Sequence, residues 1–246
     1  MENQKFNFGK SKVSQSQKTK MVQNVFDKVT KKYNLMNDIM SFGTHRLWKK
    51  RLIQVMNIQS NELILDVGTG TGDITNLIHN NFSKSLIISS DLNFNMLKEG
   101  KEKTKNESNK IEWVNCNAEN LPFKKNTFDK YVISFCLRNV TLINKVLYEA
   151  LRVLKPGGSF YCLEFSKPKT SSINRIYNFY KSNIIPTIGS KFAKNKKAYK
   201  YLEESISQFP NQEILSSQLN QIGFNNISVI NIFNGIVAIH KGFKIL

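Results

Sequence analysis

Apolar positions change their period along the chain, and the changes mark out its elements. Val22, Val25, Phe26 and Val29 recur at spacings of three and four, which predicts a helix over 21–33. After a turn-rich stretch, a second helix is expected from Thr44 or His45 to about Met56. From Leu63 the helical period is lost. Leu63-Ile64-Leu65-Asp66-Val67 is a short apolar run closed by glycines, the pattern of a parallel strand buried on both faces. Alternation follows: a helix that begins near Thr71 to Asp73, a strand over Leu86–Ser90, a helix from near Asn93, a strand over Ile111–Cys116 and another over Tyr131–Phe135. The next helix runs from Ile143 to Leu154 and stops at the breakers Lys155-Pro156-Gly157-Gly158, before a strand over Ser159–Phe165. Residues 170–207 read as a helical insert, and Gln212–Gln221 as a helix with Gly223 at its stop. Phe224–Ile232 and Ile236–Gly242 read as a hairpin around Asn234-Gly235.

Strand–helix alternation predicts a mostly parallel sheet, to which the terminal hairpin adds one antiparallel strand. The expected fold class is therefore α/β, Rossmann-like, in the layout of class I S-adenosylmethionine-dependent methyltransferases, with N-terminal helices and a helical insert. At 246 residues the chain suits one domain, and 40% hydrophobic residues suffice for its core. The expected organisation is a disordered arm over 1–20 and a single domain over 21–246. Within that domain, 21–57 form an N-terminal helical segment and 170–207 an insert over the substrate side. No run approaches the ~20 apolar residues that span a bilayer.

Charge and cysteine content narrow the picture. Thirty-six Lys and Arg against 18 Asp and Glu give +18, a field that favours nucleic acid or an anionic membrane surface, with drift in a Lys-, Asn- and Ile-rich composition as the plain alternative. Cys116, Cys136 and Cys162 are odd in number and widely spaced, with no CxxC pair, which argues against a disulfide framework and against a metal site. A reducing compartment follows.

The sharpest local signal is Asp66-Val67-Gly68-Thr69-Gly70-Thr71-Gly72-Asp73, between the first strand of the alternation and its helix. Alternate glycines let the backbone turn tightly and approach a ligand. A dinucleotide fingerprint requires G-x-G-x-x-G. Here the third glycine comes one residue early and Asp73 follows it, a carboxylate that would repel a pyrophosphate and attract a sulfonium or an α-amino group. Asp91 ends the next strand, where a carboxylate accepts hydrogen bonds from ribose hydroxyls; its alternative is an N-cap for the following helix. Asn117-Ala118-Glu119 could meet an adenine, though Asn at a strand end is commonly a turn residue, and Ser134-Phe135 close the next strand. The expected cofactor is S-adenosyl-L-methionine, held by Asp66, Gly68, Gly70, Thr71, Gly72, Asp91, Asn117, Ala118 and Ser134.

Enzymes that methylate exocyclic amines of bases carry Asn or Asp, two prolines and an aromatic after the fourth strand. This chain has Ser134-Phe135-Cys136-Leu137-Arg138-Asn139 instead. No aromatic-interleaved RNA module is present either, so nucleic acid is not an expected partner despite the charge.

From about Phe8 onward the sequence resembles the UbiE-type family of ubiquinone and menaquinone C-methyltransferases. The resemblance rests on Tyr33-Asn34-Leu35-Met36-Asn37-Asp38-Ile39-Met40-Ser41 with His45 to Trp48, and on Arg152-Val153-Leu154-Lys155-Pro156-Gly157-Gly158 reaching Glu164-Phe165-Ser166. Leu121-Pro122-Phe123, Ser134 to Thr141, Ile188-Gly189-Ser190 and Gly235 to His240 add to it. The family usually has Asp where this chain has Asn34. The resemblance implies methylation of a ring carbon of a polyprenylated benzoquinol, a demethylmenaquinol or both. Arg138 and Asn139 are then expected to stabilise the developing phenolate, a water held by Arg138 and Tyr33 to carry the proton, and His45 to be an acid/base group or a packing histidine at a helix start. Residues 173–202 interleave apolar and basic positions, which suits either a prenyl tail at an anionic membrane or an ordinary amphipathic cap. A homodimer is the other partner considered. The expected location is the cytoplasm, peripheral at the inner membrane, or the mitochondrial matrix face. Another small-molecule methyltransferase is the competing reading.

Overall fold

The computed structural model describes residues 5–30, 35, 37–38, 41–104, 109–179 and 196–245. Where the sequence leads one to expect a disordered arm, residues 6–13 form an antiparallel hairpin, β1 (Phe6–Phe8) and β2 (Ser11–Val13), and α1 (Gln15–Asp27) follows at once. The helix starts ahead of residue 21 because Ser14 and Gln17 form a capping box: the Gln17 N–H donates to Ser14 Oγ at 3.3 Å and the Ser14 N–H to Gln17 Oε1 at 2.9 Å. Its first turns are polar, so apolar spacing could not reveal them. Residues 31–34, with Tyr33, lie outside the described residues.

The alternating units then appear in order: α2 (His45–Met56), β3 (Leu63–Val67), α3 (Asp73–Asn81), β4 (Leu86–Asp91), α4 (Phe94–Lys103), β5 (Ile111–Asn115), β6 (Phe128–Ser134), α5 (Ile143–Val153) and β7 (Leu154–Phe165). After the insert helices α6 (Ser171–Phe179) and α7 (Lys196–Gln208) come α8 (Gln212–Ile222), β8 (Asn225–Ile232) and β9 (Val237–Phe243). The Lys-Pro-Gly-Gly breakers end α5 but sit within β7, because the Gly157 N–H donates to Lys244 O at 2.8 Å and the Lys244 N–H to Gly158 O at 3.0 Å. Gly223 ends α8 in the left-handed region, as its position predicts.

The sheet order is β5-β4-β3-β6-β7-β9-β8, and β9 runs antiparallel to both neighbours while the other pairs are parallel. Both faces are covered. Leu65, Tyr131, Ile133 and Phe160 pack with Val146 and Ala150 of α5 and Leu215 and Leu219 of α8. Ile64, Val132 and Leu163 pack on the other face with Leu52 and Met56 of α2 and Ile74 and Ile78 of α3. Burial on both sides explains why β3 reads as a continuous apolar run. A third cluster joins Val29 to Tyr199, Leu202 and Ile206 of α7. Strand order reverses between β3 and β6, and a crevice opens at the carboxyl ends of strands at such a switch point. No described helix is long and apolar enough to cross a membrane.

Candidate functional site

A cleft of about 810 Å³, open to solvent, lies at this switch point. Its floor comes from Val67, Gly68 and Gly70 after β3, its walls from Asp91 and Leu92 after β4, Cys116 to Glu119 after β5, and Phe135, Cys136 and Asn139 after β6. Met96 of α4 closes one end, and Thr19, Val22, Gln23 and Phe26 of α1 form the roof.

Two glycines shape the loop by different means. Gly68 has φ +65°, and a Cβ there would stand 2.1 Å from Cys136 Sγ, so the turns after β3 and β6 can approach only without a side chain. Gly72 has φ +80°, and its Cβ would meet Trp113 Cη2 at 2.7 Å; its smallness serves packing against β5 rather than the cleft. Asp66 is buried beneath the loop. Its Oδ2 accepts from Thr69 Oγ1 at 2.7 Å and Thr75 Oγ1 at 2.8 Å, tying the loop to α3, while Oδ1 has no hydrogen-bond partner among the described residues. Burial pushes this carboxyl up to about 6, against the pull of those hydroxyls. The folded state therefore binds more protons than the unfolded one between about pH 4 and 6, and stability falls as pH rises through that window. Urea unfolding of the wild type is expected to show a loss of roughly 2–3 kcal/mol from this group across the window, and Asp66→Asn to remove that slope. An unchanged slope in the variant would assign it elsewhere.

Asp91, by contrast, lines the cleft. Its Oδ2 accepts the Gly70 N–H at 2.8 Å and its Oδ1 the Asn93 N–H at 2.7 Å, so both oxygens are aimed by backbone and each retains acceptor capacity. Burial raises its pKa and the backbone N–H groups oppose the rise. The capping role left open for Asp91 falls to Asn93, whose Oδ1 accepts the Met96 N–H at 2.9 Å. Asn117 and Ala118 line the cleft in a tight turn, where Asn117 Oδ1 accepts the Glu119 N–H at 2.9 Å. Glu119 accepts the N–H groups of Thr141 at 2.8 Å and Leu142 at 3.0 Å, joining this turn to the one after β6.

Of the expected cofactor residues, Gly68, Gly70, Asp91, Asn117 and Ala118 come together at the cleft; Asp66, Thr71, Gly72 and Ser134 stand behind its lining. The Ser134 hydroxyl is buried without a hydrogen-bond partner among the described residues. Asp73 does not face the cleft as a free charge. Lys49 of α2 pairs with it at 2.6 Å and, despite the opposing effect of burial, draws its pKa below the ordinary carboxylate value. Sequence reasoning missed Leu92, Met96, Cys116 and the α1 roof. The i, i+4 pair Val22 and Phe26 was visible, yet such spacing cannot distinguish a core face from a roof.

The electrostatics of the lining are distinctive. In a chain of +18, no Lys, Arg or His among the described residues lines this cleft, and Asp91 and Glu119 are the charged members of its described lining. Such a lining disfavours phosphate groups and suits a ligand with a positive centre. An aimed carboxylate beside the slot between Leu92, Met96 and Ala118, above a floor where Gly68 and Gly70 carry no side chain, fits a nucleoside with a sulfonium.

The candidate catalytic residues are placed more deeply. The Arg138 guanidinium pairs with Glu164 at 2.8 Å, with side chains 6% and 2% exposed, and also donates to Phe135 O at 2.7 Å. It stands outside the cleft lining, 5.4 Å from the Phe165 ring centroid. Phe135 lines the cleft at φ +53°, a left-handed conformation costly for a side-chain-bearing residue. Asn139 also lines it, donating from Nδ2 to Phe135 O at 3.3 Å. His45 is buried away from the cleft; its Nε2 lies 2.9 Å from Asp38 Oδ1, and Arg46 holds the same carboxylate at 2.7 and 2.8 Å. Burial, with Lys49 nearby, lowers the His45 pKa. Among the described residues no cluster of metal-binding side chains is found.

Solved structures share the fold. A SAM-dependent methyltransferase of Thermotoga maritima aligns with a TM-score of 0.64 over 91% of this chain and 99% of its own, at 17% identity. A phosphoethanolamine N-methyltransferase 2 of Haemonchus contortus, solved with S-adenosyl-L-methionine, aligns at 0.59 over 80% of this chain and 52% of its own, at 16% identity. Sequence relatives are nearer. The ubiquinone/menaquinone biosynthesis C-methyltransferases UbiE of Rickettsia prowazekii and Cronobacter sakazakii are 47% and 45% identical, over 97% and 96% of this chain and 98% and 96% of theirs. The model of the ubiE/COQ5 methyltransferase family matches residues 12–244. On this match and these relatives, the chain belongs to the ubiE/COQ5 methyltransferase family and is an S-adenosylmethionine-dependent C-methyltransferase.

Proposed function

We propose that the chain methylates a ring carbon of a reduced, polyprenylated quinone precursor, a benzoquinol, a demethylmenaquinol or both. The observation that carries this reading is the carboxylate-bearing cleft bordered by Phe135 and Asn139, in a chain whose relatives are named ubiquinone/menaquinone biosynthesis C-methyltransferases. The cofactor, when bound, supplies a methyl group on a sulfonium. Asp91 would hold its ribose hydroxyls, Leu92, Met96 and Ala118 its adenine, and the Gly68–Gly70 floor its amino-acid portion.

The residues then have three tasks: alignment, exclusion of water, and support of negative charge on the acceptor ring. Phe135 and the α1 residues Val22 and Phe26 supply apolar cover. A quinol ring carbon gains nucleophilicity as its hydroxyl loses a proton, and Asn139 is a polar side chain after β6 that lines the cleft. Arg138 acts on that oxygen through Phe135 and through its field, since its guanidinium is occupied by Glu164. His45, held by Asp38, anchors the segment before α2 instead of taking the proton. Tyr33 keeps its proposed part in carrying the proton by way of a water.

The prenyl tail places the substrate in a membrane, and the basic chain would meet an anionic bilayer through the insert between β7 and α8. Flotation with liposomes is expected to show binding that grows with anionic lipid and falls with salt; binding indifferent to both would refute surface contact. The main test is anaerobic incubation with labelled S-adenosylmethionine and reduced demethylated benzoquinone and naphthoquinone. A product heavier by one labelled methyl is expected. Cofactor binding without methylation of either quinol would overturn the substrate reading.

A further inference from the structure

Tyr201 lies on α7, in the insert, yet its hydroxyl reaches the turn after β6 and donates to Asn139 Oδ1 at 3.1 Å. The ring is buried and stacks on Phe8 of the N-terminal hairpin, with centroids 4.6 Å apart and planes 19° apart. Asn139 is buried as well, and its other end meets Phe135 O. We propose that Tyr201 is a positioning residue for methyl transfer: it fixes the Asn139 carboxamide so that a side-chain N–H, not the carbonyl oxygen, is turned to the cleft.

The argument is one of hydrogen-bond complementarity. A carboxamide has one acceptor end and one donor end, and only the surroundings decide which faces where. Phe135 O is an acceptor and must be met by Asn139 Nδ2. Turned over, the amide would set two carbonyl oxygens against each other. Tyr201 supplies the matching donor at the opposite end, and burial pushes its hydroxyl pKa well above the ordinary tyrosine value, so it remains a donor at any working pH. With Oδ1 taken by Tyr201 and one Nδ2 hydrogen by Phe135 O, the second Nδ2 hydrogen remains for the cleft that Asn139 lines. Phe135 itself is held in its strained conformation by its N–H to Leu163 O at 2.8 Å and by the donors from Arg138 and Asn139. A fixed donor suits an oxygen that becomes negative as the ring is activated, and it needs no reorganisation at that moment. This identification of what meets the N–H rests on the quinol reading above.

Tyr201→Phe keeps the ring and its stack on Phe8 and removes only the hydroxyl. It is expected to lower kcat about tenfold, the effect of one lost hydrogen bond that leaves a buried acceptor unsatisfied. The cofactor dissociation constant is expected to stay within about twofold. The acidic limb of the kcat–pH profile is expected to move to higher pH, because the phenolate loses support. Phe8→Leu removes the stack and leaves the hydroxyl, so it is expected to lower thermal stability without moving that limb. Wild-type kcat and profile in Tyr201→Phe, or an equal shift in Phe8→Leu, would overturn the proposal. If the wild type binds cofactor but methylates no quinol, the substrate reading fails, and the Asn139 side-chain amide decides this one by NMR. Slow hydrogen exchange accelerated by Tyr201→Phe supports it, and unchanged exchange overturns it.

Discussion

Replacing Asp91 with alanine is expected to weaken S-adenosylmethionine binding about a hundredfold, roughly 3 kcal/mol, while leaving the chain folded. Two losses combine. The carboxylate is the proposed acceptor for the ribose hydroxyls, and hydrogen bonds to a charged acceptor are about twice as strong as neutral ones. It also holds the Gly70 N–H, so its removal releases the loop proposed to carry the cofactor. Asp91→Asn keeps a single carbonyl acceptor and is expected to fall between wild type and Asp91→Ala. Calorimetric titration with S-adenosylmethionine measures all three. An Asp91→Ala protein that binds within a factor of about three of wild type would show that the ribose lies elsewhere.

The largest loss of stability is expected at Glu164, which sequence reasoning assigned to a strand signature without a role. Its carboxylate accepts from Arg138 Nη1 at 2.8 Å, from the Phe165 N–H at 2.9 Å and from the Arg138 N–H at 3.3 Å, all in nearly complete burial. Burial pushes its pKa up and the Arg138 charge resists that shift. Deleting one member of such a pair strands the other, and Glu164→Ala is expected to cost about 3–5 kcal/mol by urea unfolding. Glu164→Gln keeps one acceptor oxygen, for Arg138 Nη1 and the Phe165 N–H, and loses the charge together with the acceptor for the Arg138 N–H, so it is expected to cost less than Glu164→Ala and to remain folded. It should still lower turnover, because Arg138 would be less firmly held under Phe135 O. A loss below about 1 kcal/mol in Glu164→Ala would mean that the pair opens to water in solution.

Much of this architecture was readable from local pattern, and the exceptions share one cause. β3 and the Ser159–Phe165 part of β7 announce themselves because burial on both faces leaves mainly apolar runs, and α8 because Gly223 marks its stop. Gly68 and Asp91 were legible for a related reason: the carboxyl ends of strands are where a parallel sheet must place its ligand. What stayed hidden depends on contacts between distant segments. The hairpin of residues 6–13 has strands too short for an alternation to register. Asp73 carried the electrostatic argument in sequence, but Lys49 arrives from α2 to neutralise it, and Asp91 and Glu119 hold the acidic character of the cleft instead. Tyr201 reads as one more aromatic in an amphipathic insert. Only the packing of α7 against the turn after β6 gives its hydroxyl a partner, Asn139.

The central claim is transfer to carbon, with the cofactor in the cation-free cleft. It is tested most directly by supplying the purified protein with S-adenosylmethionine carrying a ¹³C methyl, together with a reduced demethylated quinone, and recording the carbon spectrum of the product. A methyl resonance in the aryl-methyl region is predicted, absent when Asp91→Ala replaces the wild type at limiting cofactor. A resonance in the methoxyl region would assign the transfer to oxygen and contradict the account, as would a quinol recovered unlabelled beside a protein that binds the cofactor.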